Sequence, residues 1–347
     1  MDNYFQQRDR ENLLLLKELR KQLPSYCGGY FVAISSRTSA LTRVGYARDL
    51  LTFFTFLCKY KDFGVAVPAE FGLDKLNTVS QSDIEEYLDY LNCYEVDGKQ
   101  YTNELRAKAR KLSAVRSFFK YLYNKDMLKE NVSAKVMTPK LHEKEIIRLE
   151  NDEMQKFLDV VESGNNLGEG HATAYHKHVA LRDTAIITLL LGTGIRISEC
   201  VGLNIDDIDF DNRKFVVTRK GGNRTVLYMP TEVIDALKNY LPERIAINAE
   251  TDALFLSLQN KRINVRTVQI MVKKYAFAAV PTKHITPHKL RSTFGTNLYR
   301  ETKDIYVVAT VLGHSDVNTT KKHYAAISED IKKQAAEVVH LRREDDD

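Results

Sequence analysis

The spacing of apolar positions changes character midway along this chain. From the start to Tyr123 it is helical. Leu13 to Leu16, with Leu19 and Leu23, form a stripe inside a charged segment that Pro24 stops. Ser39 precedes a second segment in which Leu50, Leu51, Phe53, Phe54, Phe56 and Leu57 carry more apolar side chains than one face needs. Ser82 with Glu85 three positions on has capping-box spacing, which predicts a third helix starting there. A fourth runs from about Asn103 to Tyr123, with Leu112, Val115, Phe118, Phe119 and Leu122 in helical register. Asp97-Gly98-Lys99 predicts the turn before it. Asn131 to Ala134 breaks the period, and Thr138 to Glu145 is short, polar and extended in flavour, as a linker is.

Beyond the linker the periods mix. A helix is predicted from near Asn151 (its N-cap, with Glu153 close behind) to about Glu162, a flexible loop from Ser163 to Gly170, and an apolar helix from Leu181 to Leu191 that Gly192-Thr193-Gly194 ends. Ile205–Phe210, Phe215–Thr218 and Thr225–Met229 then read as strands, parted by turns at Asp211-Asn212-Arg213 and Gly221-Gly222-Asn223. After Pro230 the spacing is helical again. The expected fold is mainly α with a small three-stranded antiparallel sheet. A helical domain over 1–138, a linker over 139–147, a second domain over 148–327 and a terminal helix with an acidic tail over 328–347 are expected.

Composition narrows the class. Of 347 residues, 44% are hydrophobic and 28% charged, enough apolar content for two cores and enough charge for a soluble surface. The longest apolar runs fall well short of the ~20 residues a membrane span requires. Met1-Asp2-Asn3-Tyr4-Phe5 lacks the basic and apolar stretches of a signal peptide, so a soluble protein of a reducing compartment, the cytoplasm, is expected. Cys27, Cys58, Cys93 and Cys200 stand singly, against a disulfide scaffold or a zinc module. The net charge of +5 is modest, but the acidic end Glu344 to Asp347 masks basic surface elsewhere.

Five islands carry candidate chemistry. Gly192-Thr193-Gly194-Ile195-Arg196-Ile197-Ser198-Glu199 sets an arginine after a glycine turn, at a helix start. Thr218-Arg219-Lys220-Gly221-Gly222 puts a lysine at a hairpin tip. Thr286-Pro287-His288-Lys289-Leu290-Arg291 opens a helix with proline in its first position, and His288 and Arg291 share a face. Leu312-Gly313-His314 ends a helix at a glycine cap, and Tyr324 follows His314 by ten residues. Each island alone has an ordinary reading: a surface ion pair, a solvated lysine, a capping histidine. The ordered set is far harder to obtain by chance. His171, His176 and His178 have no acid or thiol nearby, so a solvated or DNA-facing loop outweighs a metal site there.

In these motifs the chain resembles the tyrosine recombinases, or phage-integrase family, whose signature runs Arg…Lys…His-x-x-Arg…His…Tyr. The resemblance covers nearly the whole chain and is most specific in Gly-Thr-Gly-Ile-Arg-Ile-Ser-Glu, Thr-Pro-His-Lys-Leu-Arg and Leu-Gly-His-Ser. It implies a helical core-binding (SAM-like) domain, a catalytic domain, and a site-specific recombinase that exchanges DNA strands through a 3′-phosphotyrosyl intermediate and a Holliday junction. Compact size and the stretch Lys111–Tyr123 look most like the Xer branch (XerC/XerD-like), and so imply chromosome dimer resolution. The tyrosine spacing is one residue longer than is usual there and is common in mobile-element integrases. A non-catalytic DNA-binding protein and a type IB topoisomerase remain rivals.

The residue types fit the chemistry. The transition state at phosphorus spreads charge over equatorial oxygens, which Arg196, Arg291 and His314 would stabilise. Tyr324 would be the nucleophile, His288 its general base and Lys220 the general acid for the departing 5′ oxygen. Glu199 would orient Arg196 or brace the helix. No metal or other cofactor is required where arginines supply the charge. Arg43, Arg106, Arg110, Arg116, Lys120, Arg219 and Lys289 are expected at DNA phosphates. The stripe Ile331, Ala335, Ala336 and Val339 implies helix exchange in a homotetramer on double-stranded DNA, with a second recombinase or an accessory translocase as further possible partners and no membrane.

Overall fold

The computed structural model describes residues 4–96, 98–140, 147–168, 170–219 and 222–313, with the side chains of 171–173 excepted. It divides into two compact units, residues 1–144 and 145–347.

The first unit is built from helices α1 (Tyr4–Lys21), α2 (Cys27–Ala33), α3 (Ala40–Tyr60), α4 (Leu73–Leu76), α5 (Gln81–Tyr90) and α6 (Leu105–Tyr123). A hairpin of β1 (Tyr94–Val96) and β2 (Lys99–Tyr101) joins α5 to α6. Ser39 caps α3, its hydroxyl accepting the Thr42 N–H at 3.2 Å. Because α3 packs on α1, α5 and α6, it buries Val44, Leu50, Phe53, Phe54, Phe56 and Leu57 on several sides. Phe53, Phe54, Tyr87, Phe118 and Phe119 meet mostly edge to face, the arrangement ring quadrupoles favour.

The start of α5 differs from the expectation. Ser80, two residues earlier than Ser82, is the cap: its hydroxyl accepts from Asp83 N at 3.2 Å, and Asp83 Oδ2 accepts from Ser80 N at 2.8 Å. Both serines have an acid three positions on. The choice falls to Asp83 because its carboxylate is nearly buried and also meets Lys61 Nζ at 2.7 Å.

The second unit comprises α7 (Asn151–Ser163), α8 (His171–Thr193), α9 (Ile197–Gly202), β3 (Ile208–Asp209), β4 (Lys214–Thr218), β5 (Arg224–Tyr228), α10 (Thr231–Ala246), α11 (Val265–Ala279), α12 (Pro287–Thr302) and α13 (Ile305–Leu312). The sheet has order β3-β4-β5 and is antiparallel throughout. β4 alternates buried Phe215 and Val217 with half-buried neighbours, the period-two signature of a strand lying on a core. Only the end of the first expected strand is extended, since Ile205–Asp207 forms a 3₁₀ turn.

α8 corrects the sequence reading. It begins at His171, ten residues before Leu181, and takes in the histidine cluster expected to be a loop. His176 is buried; its Nε2 lies 2.8 Å from Val161 O, and its ring meets Tyr275 edge-on. α7 is capped by Glu150 rather than Asn151: its N–H donates to Glu153 Oε2 at 2.8 Å. Among the described residues, no helix is long and apolar enough to cross a membrane.

In the first unit one buried charge is load for its neighbours. Asp49 is 1% exposed and meets Lys111 Nζ at 3.3 Å and the Arg110 guanidinium. Replacing it with Ala strands a buried ammonium. Asp49→Ala is expected to cost about 3–5 kcal/mol in urea unfolding of the full chain, with Asp49→Ala/Lys111→Met recovering most of the loss.

Candidate active site

The second unit brings three arginines together at one place, the C-terminal turn of α13. The last carbonyls of any helix lack intrahelical partners and carry the negative end of the macrodipole. Here three guanidinium groups from three other elements meet them. Arg219, just past β4, donates from Nη2 to Val311 O at 2.8 Å. Arg291, in the second turn of α12, donates from Nη2 to Leu312 O at 2.5 Å. Arg196, at the start of α9, donates from Nη2 to Gly313 O at 3.2 Å.

Backbone shape makes the convergence possible. Gly194 ends α8 with φ +62°, and Gly313 ends α13 with φ +63°, both in the left-handed region that favours glycine. A Cβ at Gly194 would stand 2.3 Å from the Phe294 ring and 3.0 Å from Leu312. α8, α12 and α13 thus close on one another at this turn, and the Gly194 carbonyl accepts a second bond from Arg291, from Nη1 at 2.7 Å. Arg291 is 5% exposed, held between the ends of two helices.

Arg196 is anchored differently. Glu199 caps α9 by accepting the Arg196 N–H on Oε2 at 2.8 Å, while Oε1 accepts from Arg196 Nη1, also at 2.8 Å. That carboxylate is buried whereas Arg196 stays partly exposed. The pairing expected from sequence is therefore present, but as a buried anchor rather than a surface ion pair. Among the described residues, three guanidinium groups stand against one carboxylate at the turn, an excess of positive charge.

His288 and Lys289 lie in the first turn of α12, one turn before Arg291, with Pro287 in the first helical position. His288 is exposed and Lys289 half-buried. Thr293 on the same helix ties down the segment leading into the unit: its Oγ1 accepts from Leu149 N at 3.0 Å and donates to Lys289 O at 2.9 Å. Lys220, His314 and Tyr324 lie outside the described residues. His314 follows Gly313 directly in sequence, and Lys220 follows Arg219.

The expected phosphate contacts of the first unit fall into two groups. Arg106, Arg110 and Lys120 occupy exposed positions of α6, and Arg43 is half-buried on α3. Arg116 faces inward: Nε donates to Ser133 O at 3.2 Å, Nη1 to Thr138 Oγ1 at 2.6 Å, and Nη2 to Val136 O. In this arrangement it straps the segment after α6 instead of presenting its fork outward. Among the described residues, no cluster of three or more His, Cys, Asp or Glu is placed to hold a metal ion.

Sequence reasoning missed two features of this site. Thr293 gave no signal, being one threonine inside a helix. The sequence leads to Arg219 only as an expected phosphate contact, and nothing in it links this side chain to Val311.

The phage integrase family matches residues 148–330, and the phage integrase N-terminal SAM-like domain matches residues 30–126. Tyrosine recombinase XerC of Caldanaerobacter subterraneus subsp. tengcongensis is 34% identical over 303 residues, covering 84% of this chain and 79% of that protein. Tyrosine recombinase XerD of Vibrio vulnificus is 30% identical over 262 residues, covering 74% and 80%. Among solved structures, XerH bound to a palindromic difH substrate after cleavage superposes with a TM-score of 0.64 at 21% identity, covering 86% of this chain and 80% of that one. A lambda integrase tetramer bound to a Holliday junction gives 0.61 at 16% identity, covering 86% and 76%. The structural likenesses speak for the fold, and the sequence relationships carry the assignment. The chain belongs to the phage integrase family, the tyrosine recombinases, and its relatives by sequence include recombinases of the Xer branch.

Proposed function

We propose that the protein is a site-specific DNA recombinase that cleaves and rejoins strands through a phosphotyrosyl intermediate, with the arginine-lined turn of α13 as its phosphate site. The observation that carries this is the meeting of Arg196 and Arg291 at consecutive carbonyls, immediately before His314. A phosphodiester repels nucleophiles, and its transition state carries more charge on the equatorial oxygens than the ground state does. Cations fixed in advance stabilise the first over the second.

In the proposed step the Tyr324 phenolic oxygen attacks phosphorus and the bond from phosphorus to O5′ breaks. The phenol has a pKa near ~10 and needs a base at neutral pH; its proton passes to His288. O5′ takes a proton from the Lys220 ammonium. The products are a 3′-phosphotyrosine and a free 5′-hydroxyl. Rejoining runs the same transfers in reverse with a 5′-hydroxyl of the partner duplex. One ester replaces another, so no nucleotide cofactor is needed.

Relatives named as Xer recombinases favour the resolution of chromosome dimers as the biological role, in the cytoplasm, by a homotetramer that exchanges its C-terminal helices on two duplexes. A second recombinase or a translocase would then be a partner. The ten-residue step from His314 to Tyr324 favours the second reading, integration or excision of a mobile element. In either role the exposed Arg106, Arg110 and Lys120, with Arg43, would supply backbone contacts in the first unit.

Covalent trapping tests the chemistry. The purified full chain, incubated with sheared genomic DNA of its host, is expected to form a denaturation-resistant adduct whose DNA can be sequenced to give the site. Tyr324→Phe is expected to abolish it. No adduct, or one that survives in Tyr324→Phe, leaves a non-catalytic DNA-binding protein. Relaxation of supercoils without exchange between two recovered sites would indicate a topoisomerase.

Glu199 offers a second check. Losing its carboxylate frees Arg196 on one side, and a misplacement near 1 Å is enough to slow a positioned reaction. Glu199→Ala is expected to slow adduct formation by about tenfold to a hundredfold, and Glu199→Gln by less, because an amide oxygen still accepts the cap N–H. DNA affinity, read by fluorescence anisotropy, is expected to change little in either.

A further inference from the structure

The proposed chemistry requires a proton donor and a phosphate ligand that sit on different elements to reach one phosphorus together. Lys220 follows the end of β4, and His314 follows the end of α13. One described side chain connects the two, that of Arg219.

Its backbone closes the β4–β5 turn. Arg219 N donates to Asn223 O at 2.8 Å, and Arg219 O accepts from Gly222 N at 3.1 Å. Its side chain crosses to α13, where Nη2 donates to Val311 O. Nη1 lies against Gly313 so closely that a Cβ there would stand 1.7 Å from it. The guanidinium is half-buried, and among the described residues its buried Nε has no hydrogen-bond partner. Burial lowers its pKa, with Glu199 acting to raise it and Arg196 to lower it further. One of its donors is committed to a carbonyl and another is packed on a glycine.

We propose that Arg219 is a positioning residue that ties the turn carrying Lys220 to the last turn of α13, so that the proton donor and His314 meet the phosphate as one unit. The proposal rests on the recombinase reading. Within that turn Gly222 holds φ +84°, the left-handed region that favours glycine. Lysine is a poor substitute. Its ammonium is a point charge and cannot both lie flat on Gly313 and donate to Val311 O.

The leaving group provides the test. In a nicked duplex built on the trapped sequence, sulfur in place of O5′ departs as a thiolate without a proton, since thiols have pKa values near ~8.5. Arg219→Ala is expected to slow adduct formation on the oxygen substrate by about tenfold to a hundredfold. On the sulfur substrate it is expected to match wild type, as Lys220→Ala should, while Arg291→Ala stays slow on both. DNA affinity is expected to move by no more than about twofold, the scale of an exposed surface change. Arg219→Lys, which keeps the charge, is expected to show the same contrast between oxygen and sulfur. It is also the variant to read if Arg219→Ala fails to fold.

Equal slowing on both substrates would overturn the proposal, as would a loss of DNA affinity large enough to account for the rate. Wild-type rates for Arg219→Lys on the oxygen substrate would overturn it too. In each of these outcomes the wild-type adduct still forms and the recombinase reading stands. If wild type forms none on either substrate, both fall.

Discussion

The constraint on which the second unit turns is the unfinished end of a short helix. α13 spans only Ile305–Leu312, and its final carbonyls have no partners of their own. Each is taken by an arginine from a different part of the chain, so this end cannot move without disturbing β4, α9 and α12 together. Four stretches that are remote in sequence are registered against one another by hydrogen bonds to three consecutive residues.

The chemistry of those anchors matters as much as their number. A carboxylate would hold a guanidinium firmly but cancel its formal charge, and a site for an anion needs that charge. Neutral carbonyls orient the group and leave the charge in place, so the field at the turn stays positive. Arg291 is anchored by carbonyls of Gly194 and Leu312. Arg196 is the exception, and there the acid is buried beneath it while the guanidinium remains partly open to solvent. Placing the acid on the protein side keeps the exposed face cationic.

What the sequence made legible follows from how local each signal is. Gly194, Gly313, Pro287 and the spacing of His288 and Arg291 are features of single turns, and the structure has those turns where the sequence puts them. The turn at Gly98 was legible, but the strands on either side were not, since three residues are too few to show a period. Ser80 and Ser82 carry the same local pattern, and only the contact of Asp83 with Lys61 separates them. The start of α8 was hidden for the opposite reason. A helix buried on many sides has no polar face to mark its period, and its polar opening turns resemble a loop. Arg219 could not be read at all, because a side chain's partner across 92 residues leaves no mark in spacing.

The long α8 then explains how the turn of α13 stays in place. At 23 residues it spans about 34 Å, and both ends are pinned. Near its start His176 reaches Val161 O on α7, and at mid-helix Asp183 takes bonds from Arg182 and from Tyr275 on α11. Burial raises the pKa of Asp183, against the pull of Arg182 and Tyr275, so this group is held by satisfied partners rather than by solvent. At its far end Gly192 lies against Val233 and Pro230, and Gly194 against Phe294 and Leu312. A helix fixed by polar bonds at one end and by close packing at the other transmits little slack. The carbonyl it offers to Arg291 is therefore set by the core of the unit, and a guanidinium so held is oriented in advance of any ligand.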